Sequence, residues 1–132
     1  MDALRFSAVL LILAMACFIT VSAGACEKPK VEGTGSQSIS SYFFNSASGT
    51  CDTFVYKGGN DDPFPNRFNS HPVCENVCKC KLRMDPGTGE RLRTRYYHNT
   101  DGSRCLPFQY RGTGGNANNF LSESACEMEC EL

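Results

Sequence analysis

Cysteine is the residue type with the clearest chemistry in this chain. The 132 residues include nine cysteines, a density that points either to metal binding or to disulfide bonds. The densest group comprises Cys74, Cys78 and Cys80. It lacks the two-residue spacing or histidine partners that are typical of zinc sites. Disulfide bonds are therefore favoured, and a metal site is the alternative.

Other residue types give little support for an enzyme. The chain has no H-E-x-x-H motif, no G-x-S-x-G motif and no phosphate-binding loop with its lysine. The two histidines, His71 and His98, are expected to be surface residues. The segment 112–116 resembles a nucleotide-binding loop only in composition, and Asn118 is expected to bond internally to backbone groups. No enzymatic activity and no cofactor are expected.

The first 23 residues have the pattern of a secretory signal peptide. Arg5 precedes an apolar run from Ala8 to Val21, and small residues follow it. This run is shorter than the roughly 20 residues that span a bilayer. We therefore expect a secreted, extracellular protein with no membrane span. Loss of the leader also removes Cys17, and the eight remaining cysteines can pair completely.

The charge balance argues against a nucleic-acid partner. Thirteen Lys and Arg residues accompany 14 Asp and Glu residues, which gives a formal net charge of −1. A general nucleic-acid binder needs a large cationic excess.

The spacing of the remaining cysteines shows an internal repeat. The intervals are 25, 23 and 4 residues, then 2, then 25, 21 and 4. We predict a signal peptide at 1–23, a first module at 24–78, Lys79 as the linker and a second module at 80–132. The mature chain is expected to start near Gly24, with Cys26 as the alternative. Modules this small cannot bury a large core, so covalent crosslinks are expected to stabilise them.

Each module is expected to contain a β-hairpin and then a short helix. Runs of β-branched and aromatic residues flanking turn residues predict strands at 39–45, 50–56, 92–99 and 105–111. Ser70 and Ser122 are suitable helix N-caps, and Pro72 fits a first helical turn. A spacing of four residues places both cysteines of each helix on one face.

Each module resembles a Kunitz domain of the pancreatic trypsin inhibitor family. The shared features are the first cysteine interval, the aromatic hairpin, a Phe-x-Tyr-x-Gly motif, an Asn-x-Phe-like motif and a Cys-x3-Cys helix. The resemblance implies a small disulfide-rich α+β fold, in which each domain is a twisted β-hairpin plus a C-terminal short helix. It also implies a pairing that the spacing alone leaves open: Cys26–Cys78, Cys51–Cys74, Cys80–Cys130 and Cys105–Cys126.

Both modules depart from the family pattern of six cysteines. The second and fourth cysteines are absent, and their places hold Gly35 and Gly59 in the first module and Gly89 and Thr113 in the second. Because both partners of that bridge are missing, no unpaired thiol remains. The fold is expected to survive on the other bridges, whereas the glycine-rich loop at 33–36 is expected to be mobile.

The resemblance places the residue after the missing second cysteine in the primary pocket of a serine protease of chymotrypsin fold. That residue is Ser36 in one module and Glu90 in the other. Trypsin-like pockets need Lys or Arg, so we expect a substrate-mimic inhibitor that is not directed at trypsin. Solvated surface without a partner is the alternative for both loops. The expected contact residues are Gly35, Ser36, Gln37, Ile39, Gly89, Glu90 and Arg91.

The alternative function is a non-inhibitory Kunitz binding module. Arg91, Arg93 and Arg95 alternate along a predicted strand and would line one face. That face would suit an ion channel, a receptor or another anionic partner. Solvation is the favoured interpretation, since by resemblance Arg95 packs against its own module's aromatics. Nearby acids are expected to neutralise the rest: Glu123, Glu127, Glu129 and Glu131. We expect a monomer.

Overall fold

The computed structural model describes residues 24–63 and 65–131. The expected leader at 1–23 lies outside the described residues. Within the described part, no helix is long and apolar enough to cross a membrane. Two similar units follow one another, and together they form a small disulfide-rich α+β structure. The elements are β1 (Ile39–Asn45), β2 (Thr50–Tyr56), α1 (His71–Cys78), a 3-10 turn (Lys79–Lys81), β3 (Arg93–Asn99), β4 (Arg104–Tyr110) and α2 (Glu123–Cys130).

The two hairpins are antiparallel, as the paired runs of β-branched and aromatic residues predicted. The first has the predicted bounds, with Ile39 opposite Tyr56. In the second, β3 is one residue shorter, starting at Arg93 rather than Leu92, and β4 is shifted by one residue, covering Arg104–Tyr110 rather than 105–111. The end of β4 at Tyr110 has a local reason, because the amide of the next residue, Arg111, donates to the carbonyl oxygen of Pro86 at 2.9 Å and not to the paired strand.

The helices begin where the sequence predicts. The Ser70 hydroxyl accepts from the Val73 amide, and the Ser122 hydroxyl accepts from the Ala125 amide. Pro72 lies in the first turn of α1, where a missing amide proton costs no helical hydrogen bond. Both N-cap predictions are confirmed.

Each helix is connected by one disulfide bond to its hairpin and by another to the start of its module, which makes four in all. They join the pairs Cys26–Cys78, Cys51–Cys74, Cys80–Cys130 and Cys105–Cys126, which are the pairs that the resemblance implies. All three thiols of the candidate metal group are therefore used in disulfides. Within the described residues, no cluster of His, Cys, Asp and Glu suits a metal ion.

The two modules touch through the segment that follows Cys80. Leu82 is only 3% exposed and belongs to a buried cluster with Phe44, Phe68 and cysteines of the first module. The Arg83 amide donates to the carbonyl oxygen of Gly49 at 2.8 Å, while the Arg83 carbonyl accepts from Asn116 of its own module. The linker is thus a short 3-10 turn whose exit is fixed to both modules.

Candidate functional site

The first candidate loop is attached to the end of β2 by backbone hydrogen bonds. The amides of Thr34 and Gly35 both donate to the carbonyl oxygen of Gly58 at 3.0 Å. The Gln37 amide donates to the Lys57 carbonyl at 2.9 Å, and the Lys57 amide donates back to Glu32 at 2.7 Å. The loop expected to be mobile therefore has four backbone hydrogen bonds to residues 57–58.

Glycine makes this close approach of two backbones sterically feasible. A Cβ added to Gly33 would overlap the carbonyl oxygen of Gly58, and one added to Gly35 would overlap that of Lys57. A Cβ added to Gly59 would lie 3.3 Å from the Gly35 amide nitrogen. Gly35 and Gly59, the two positions that the resemblance aligns with a family cysteine pair, are thus neighbours in space.

The second candidate loop is held in a similar way but by different groups. Thr88 and Thr113 exchange two backbone hydrogen bonds, of 2.7 and 3.0 Å. The side-chain Nε of Arg111 donates to the carbonyl oxygen of Gly89 at 3.0 Å. A Cβ added to Gly89 would lie 3.7 Å from the Thr113 Cβ, so these two positions are also neighbours.

The expected contact residues lie at the surface on either side of these attachments. Ser36, Gln37, Glu90 and Arg91 are exposed, and Ile39 is 46% exposed at the start of β1. The attaching residues, above all Lys57, Gly58 and Arg111, were not among the predicted site residues. The Phe-x-Tyr-x-Gly motif was a usable signal, because Gly58 has a φ of 83° that favours glycine.

Charged side chains surround the first loop. Glu32 bonds to Lys30 at 3.2 Å and lies 3.6 Å from Lys57. These two ammonium groups, Lys30 first, hold the pKa of the Glu32 carboxyl below its usual value. The loop therefore starts from a carboxylate that stays ionised in mildly acidic solution.

The three arginines proposed as one face occupy different environments. Arg95 is half-buried, with its guanidinium 5.5 Å from the centre of the Tyr110 ring and within 3.4 Å of Asn119. The expected packing of Arg95 against its own aromatics is confirmed. Arg91 and Arg93 are exposed, and Arg91 precedes β3 instead of lying in it.

Two of the four acidic residues expected to neutralise that face have partners elsewhere. Glu129 forms an ion pair with Lys79. One carboxylate oxygen of Glu131 accepts from the Cys105 amide at 2.8 Å. Among the described residues, neither Arg91 nor Arg93 has a carboxylate partner.

The remaining candidate polar residues have structural roles. Asn118 is buried, accepts from the His98 amide, and donates to the carbonyl oxygens of Leu82 and His98, as predicted. His98 is half-buried, and its Nδ1 lies 2.9 Å from the Cys80 carbonyl oxygen. Because a carbonyl only accepts, that nitrogen carries the proton. His71 is exposed beside Glu75.

The chain belongs to the Kunitz/bovine pancreatic trypsin inhibitor domain family, whose model matches residues 25–79 and again 79–131. BPTI/Kunitz domain-containing protein 5 of Margaritifera margaritifera is 35% identical over 119 residues, which are 81% of this chain. The match covers 63% of that protein, so this chain spans less than two thirds of that relative.

Two further similarities concern proteins described as inhibitors. The Kunitz-type serine protease inhibitor LmKTT-1b of Lychas mucronatus is 50% identical over 63 residues, 48% of this chain and 76% of that protein. The NMR structure of Ixolaris, solved in work on its interaction with factor X, is 30% identical with a TM-score of 0.49. It matches 83% of this chain and 97% of its own.

Proposed function

We propose that this chain is a secreted inhibitor of serine proteases, that it acts through the loops around Ser36 and Glu90, and that it is not directed at trypsin. The observation that carries the proposal is the backbone attachment of each loop beside an exposed residue at the specificity position. A loop fixed before binding loses little conformational entropy in the complex. Membership of a family that includes named protease inhibitors supports it.

The proposal includes the missing bridge and the domain boundaries. Each module is proposed to lack the second–fourth cysteine bridge of the family, with the backbone hydrogen bonds of the loops compensating in part. We place the signal peptide at 1–23, the modules at 24–78 and 80–132, and Lys79 between them. Amino-terminal sequencing of protein secreted by expressing cells tests the first boundary, and a retained leader would contradict it.

Side-chain chemistry at the specificity positions determines the expected targets. The Ser36 hydroxymethyl group is small enough for an elastase-like pocket. Neither Ser36 nor Glu90 supplies the cation that a trypsin-like pocket pairs with its buried carboxylate. Inhibition of elastase-like proteases and absence of trypsin inhibition are therefore expected.

A titration of the oxidised protein against trypsin, chymotrypsin, elastase and clotting proteases tests this function. We expect Ser36→Asp to abolish inhibition of an elastase-like enzyme, because a carboxylate would be buried in an apolar pocket. Ser46→Asp is the matched control, since Ser46 is exposed in the turn of the first hairpin, at the end away from the Ser36 loop. If no protease is slowed at micromolar protein, or if the 36–37 bond is simply cleaved, the proposal is wrong.

A second candidate function is binding of an anionic partner through Arg91 and Arg93. It is favoured by the exposure of both side chains without a carboxylate partner in the described part of the chain. Retention on immobilised heparin at low salt that weakens in the double variant Arg91→Ala/Arg93→Ala would support it. Arg104→Ala, at the far end of the same hairpin, is the control. Loss of retention in the control alone, or no retention of the native chain, would contradict it.

A further inference from the structure

The Glu90 carboxylate lies directly after a stretch of fixed backbone. Hydrogen bonds attach residues 86–89 to residues 111–113. Thr88 and Thr113 exchange two backbone hydrogen bonds, the Arg111 amide donates to the Pro86 carbonyl oxygen, and the Arg111 side chain donates to the Gly89 carbonyl oxygen. On the other side of Glu90, a Cβ added to Gly112 would lie 3.0 Å from the Arg91 Cβ, so these backbones also pack closely. The peptide unit of Glu90 is therefore positioned from both sides.

This carboxylate has no partner within the part of the chain that the structure describes, although cations are near in sequence. Glu90 is exposed, and Arg91 follows it directly. Arg111, a cation on the facing segment of the loop, is bound through its Nε to the Gly89 carbonyl oxygen instead. Glu90 is thus free to pair with a group of another molecule.

Burial of this carboxylate in a partner requires a cation in the partner. An ionised carboxylate moved from water into a pocket without a counter-charge costs several kcal/mol. The same carboxylate is stabilised where an Arg, Lys or protonated His faces it. The exposed arginines that follow, Arg91 and Arg93, then favour an acidic rim around that pocket.

We propose that the second module selects a serine protease whose primary pocket carries a cationic side chain, that is, one that cleaves after acidic residues. This inference rests on the proposed function, because it takes Glu90 to be the residue that enters the pocket. With Ser36 in the first module, the chain then carries two different specificities.

Inhibition of a glutamate-specific serine endopeptidase by the full oxidised chain tests the inference. We expect the native chain to inhibit, and Glu90→Gln to weaken inhibition about 30-fold or more, because it removes the charge at nearly constant shape. Glu123→Gln removes an exposed carboxylate at the start of α2 and is the matched control. Unchanged thermal unfolding of the variants establishes that the loop alone is altered.

Glu90→Arg, assayed against trypsin, separates this inference from the proposed function. If the native chain does not slow the glutamate-specific enzyme while Glu90→Arg inhibits trypsin, the inference is wrong and the loop mechanism stands. If the native chain does not inhibit the glutamate-specific enzyme and Glu90→Arg does not inhibit trypsin, the inference and the proposed function both fail for the second module. Equal inhibition by the native chain and Glu90→Gln, or rapid cleavage of the 90–91 bond, also overturns the inference.

Discussion

The two modules cover equivalent tyrosine rings with arginines from different places in the chain. In the first, the Arg67 guanidinium lies 3.5 Å from the centre of the Tyr56 ring. In the second, Arg95 of β3 covers Tyr110 at 5.5 Å. The repeat alignment pairs Arg67 with Asn119, to which Arg95 donates. A cation over a tyrosine face is worth about 0.5–2 kcal/mol, which accounts for an arginine being kept while its position differs.

A buried asparagine joins three chain segments in each module. Asn66 accepts from the Phe44 amide and donates to the carbonyl oxygens of Lys28 and Phe44. Asn118 makes the equivalent bonds in the second module. Both side chains are at most 2% exposed, so all their bonds are made inside the protein.

Asn118→Ala is expected to lower the free energy of unfolding by about 2–5 kcal/mol, because it leaves buried backbone groups without partners. Denaturant unfolding of the oxidised protein measures the change. Asn76→Ala, at an exposed position of α1, is the control and should change little. A loss below about 1 kcal/mol for Asn118→Ala would mean that water replaces these bonds.

At the scale of the elements, the geometry of the two loops differs at the positions where we propose that a family bridge is missing. In the second module the Cβ positions of residues 89 and 113 would be 3.7 Å apart, within the about 3.5–4.5 Å that disulfides need. In the first module, a Cβ on Gly35 would overlap the Lys57 carbonyl oxygen. A Cβ on Gly89 would also crowd a backbone oxygen, that of Arg111 at 2.8 Å, but less severely than the 2.4 Å between a Gly35 Cβ and the Lys57 oxygen. A bridge is therefore sterically easier in the second loop than in the first.

The double variant Gly89→Cys/Thr113→Cys is expected to form a fifth disulfide. Loop closure favours it by about 3 kcal/mol. The φ of 104° at Gly89 and the 2.8 Å approach of its added Cβ to the Arg111 carbonyl oxygen offset part of this through strain. A mass loss of two hydrogens and slower proteolysis of the loop measure the result. Gly35→Cys/Gly59→Cys is the comparison, and equal bridge formation there would contradict the steric argument.

The sequence predicted those features that depend on neighbouring residues. The Ser70 and Ser122 caps and the bounds of the first hairpin follow from capping and from runs of β-branched and aromatic residues beside a turn, and these signals act within a few residues. The hydrogen bonds of Thr34 and Gly35 to Gly58 join segments more than 20 residues apart. No local pattern encodes such a contact, so the loop was expected to be mobile. The spacing of the arginines alone did not distinguish the half-buried Arg95 from the exposed Arg93; the expected packing of Arg95 came from the family resemblance.

At the scale of the whole molecule, Leu82 joins the two modules, because its side chain contacts one and its backbone bonds to the other. Its side chain joins the buried cluster of the first module, while its carbonyl oxygen accepts from Asn118 of the second. An added Cβ on Gly49 would lie 2.9 Å from the Arg83 Cβ, so the turn of the first hairpin packs directly against Arg83. These contacts predict that the two modules unfold together.

Leu82→Ala is expected to destabilise the protein by about 2–5 kcal/mol through a buried cavity. Because the cavity opens onto the first module, amide exchange should accelerate at Phe44 and Phe68 as well as in the second hairpin. Leu92→Ala, at a position 65% exposed, is the matched control. Faster exchange confined to the second module would contradict the shared cluster.

An ion pair between the modules makes their contact sensitive to acid. The Lys81 ammonium bonds to Glu27 at 2.7 Å, and this bond, with the charge of Lys81, holds the pKa of Glu27 below its usual value of 4.5. A lowered pKa means that the pair stabilises the folded state above about pH 4.5, and that this contribution is lost as pH falls through the lower folded value. Denaturant unfolding at a series of pH values measures this. Between about pH 6 and about pH 3 the free energy of unfolding should fall slightly more steeply with falling pH for the native chain than for Glu27→Gln, and identical slopes would refute the effect.

Only Lys79 separates two half-cystines that belong to different bridges, Cys26–Cys78 and Cys80–Cys130. During oxidative maturation, Cys26 encounters two thiols that are almost equally close along the chain, and so does Cys130. Exchange of the two partners would crosslink the halves covalently in a mispaired isomer. Repair of such an isomer proceeds by thiolate attack on the wrong bond, so we expect the yield of correctly oxidised protein to rise when a thiol–disulfide isomerase is supplied.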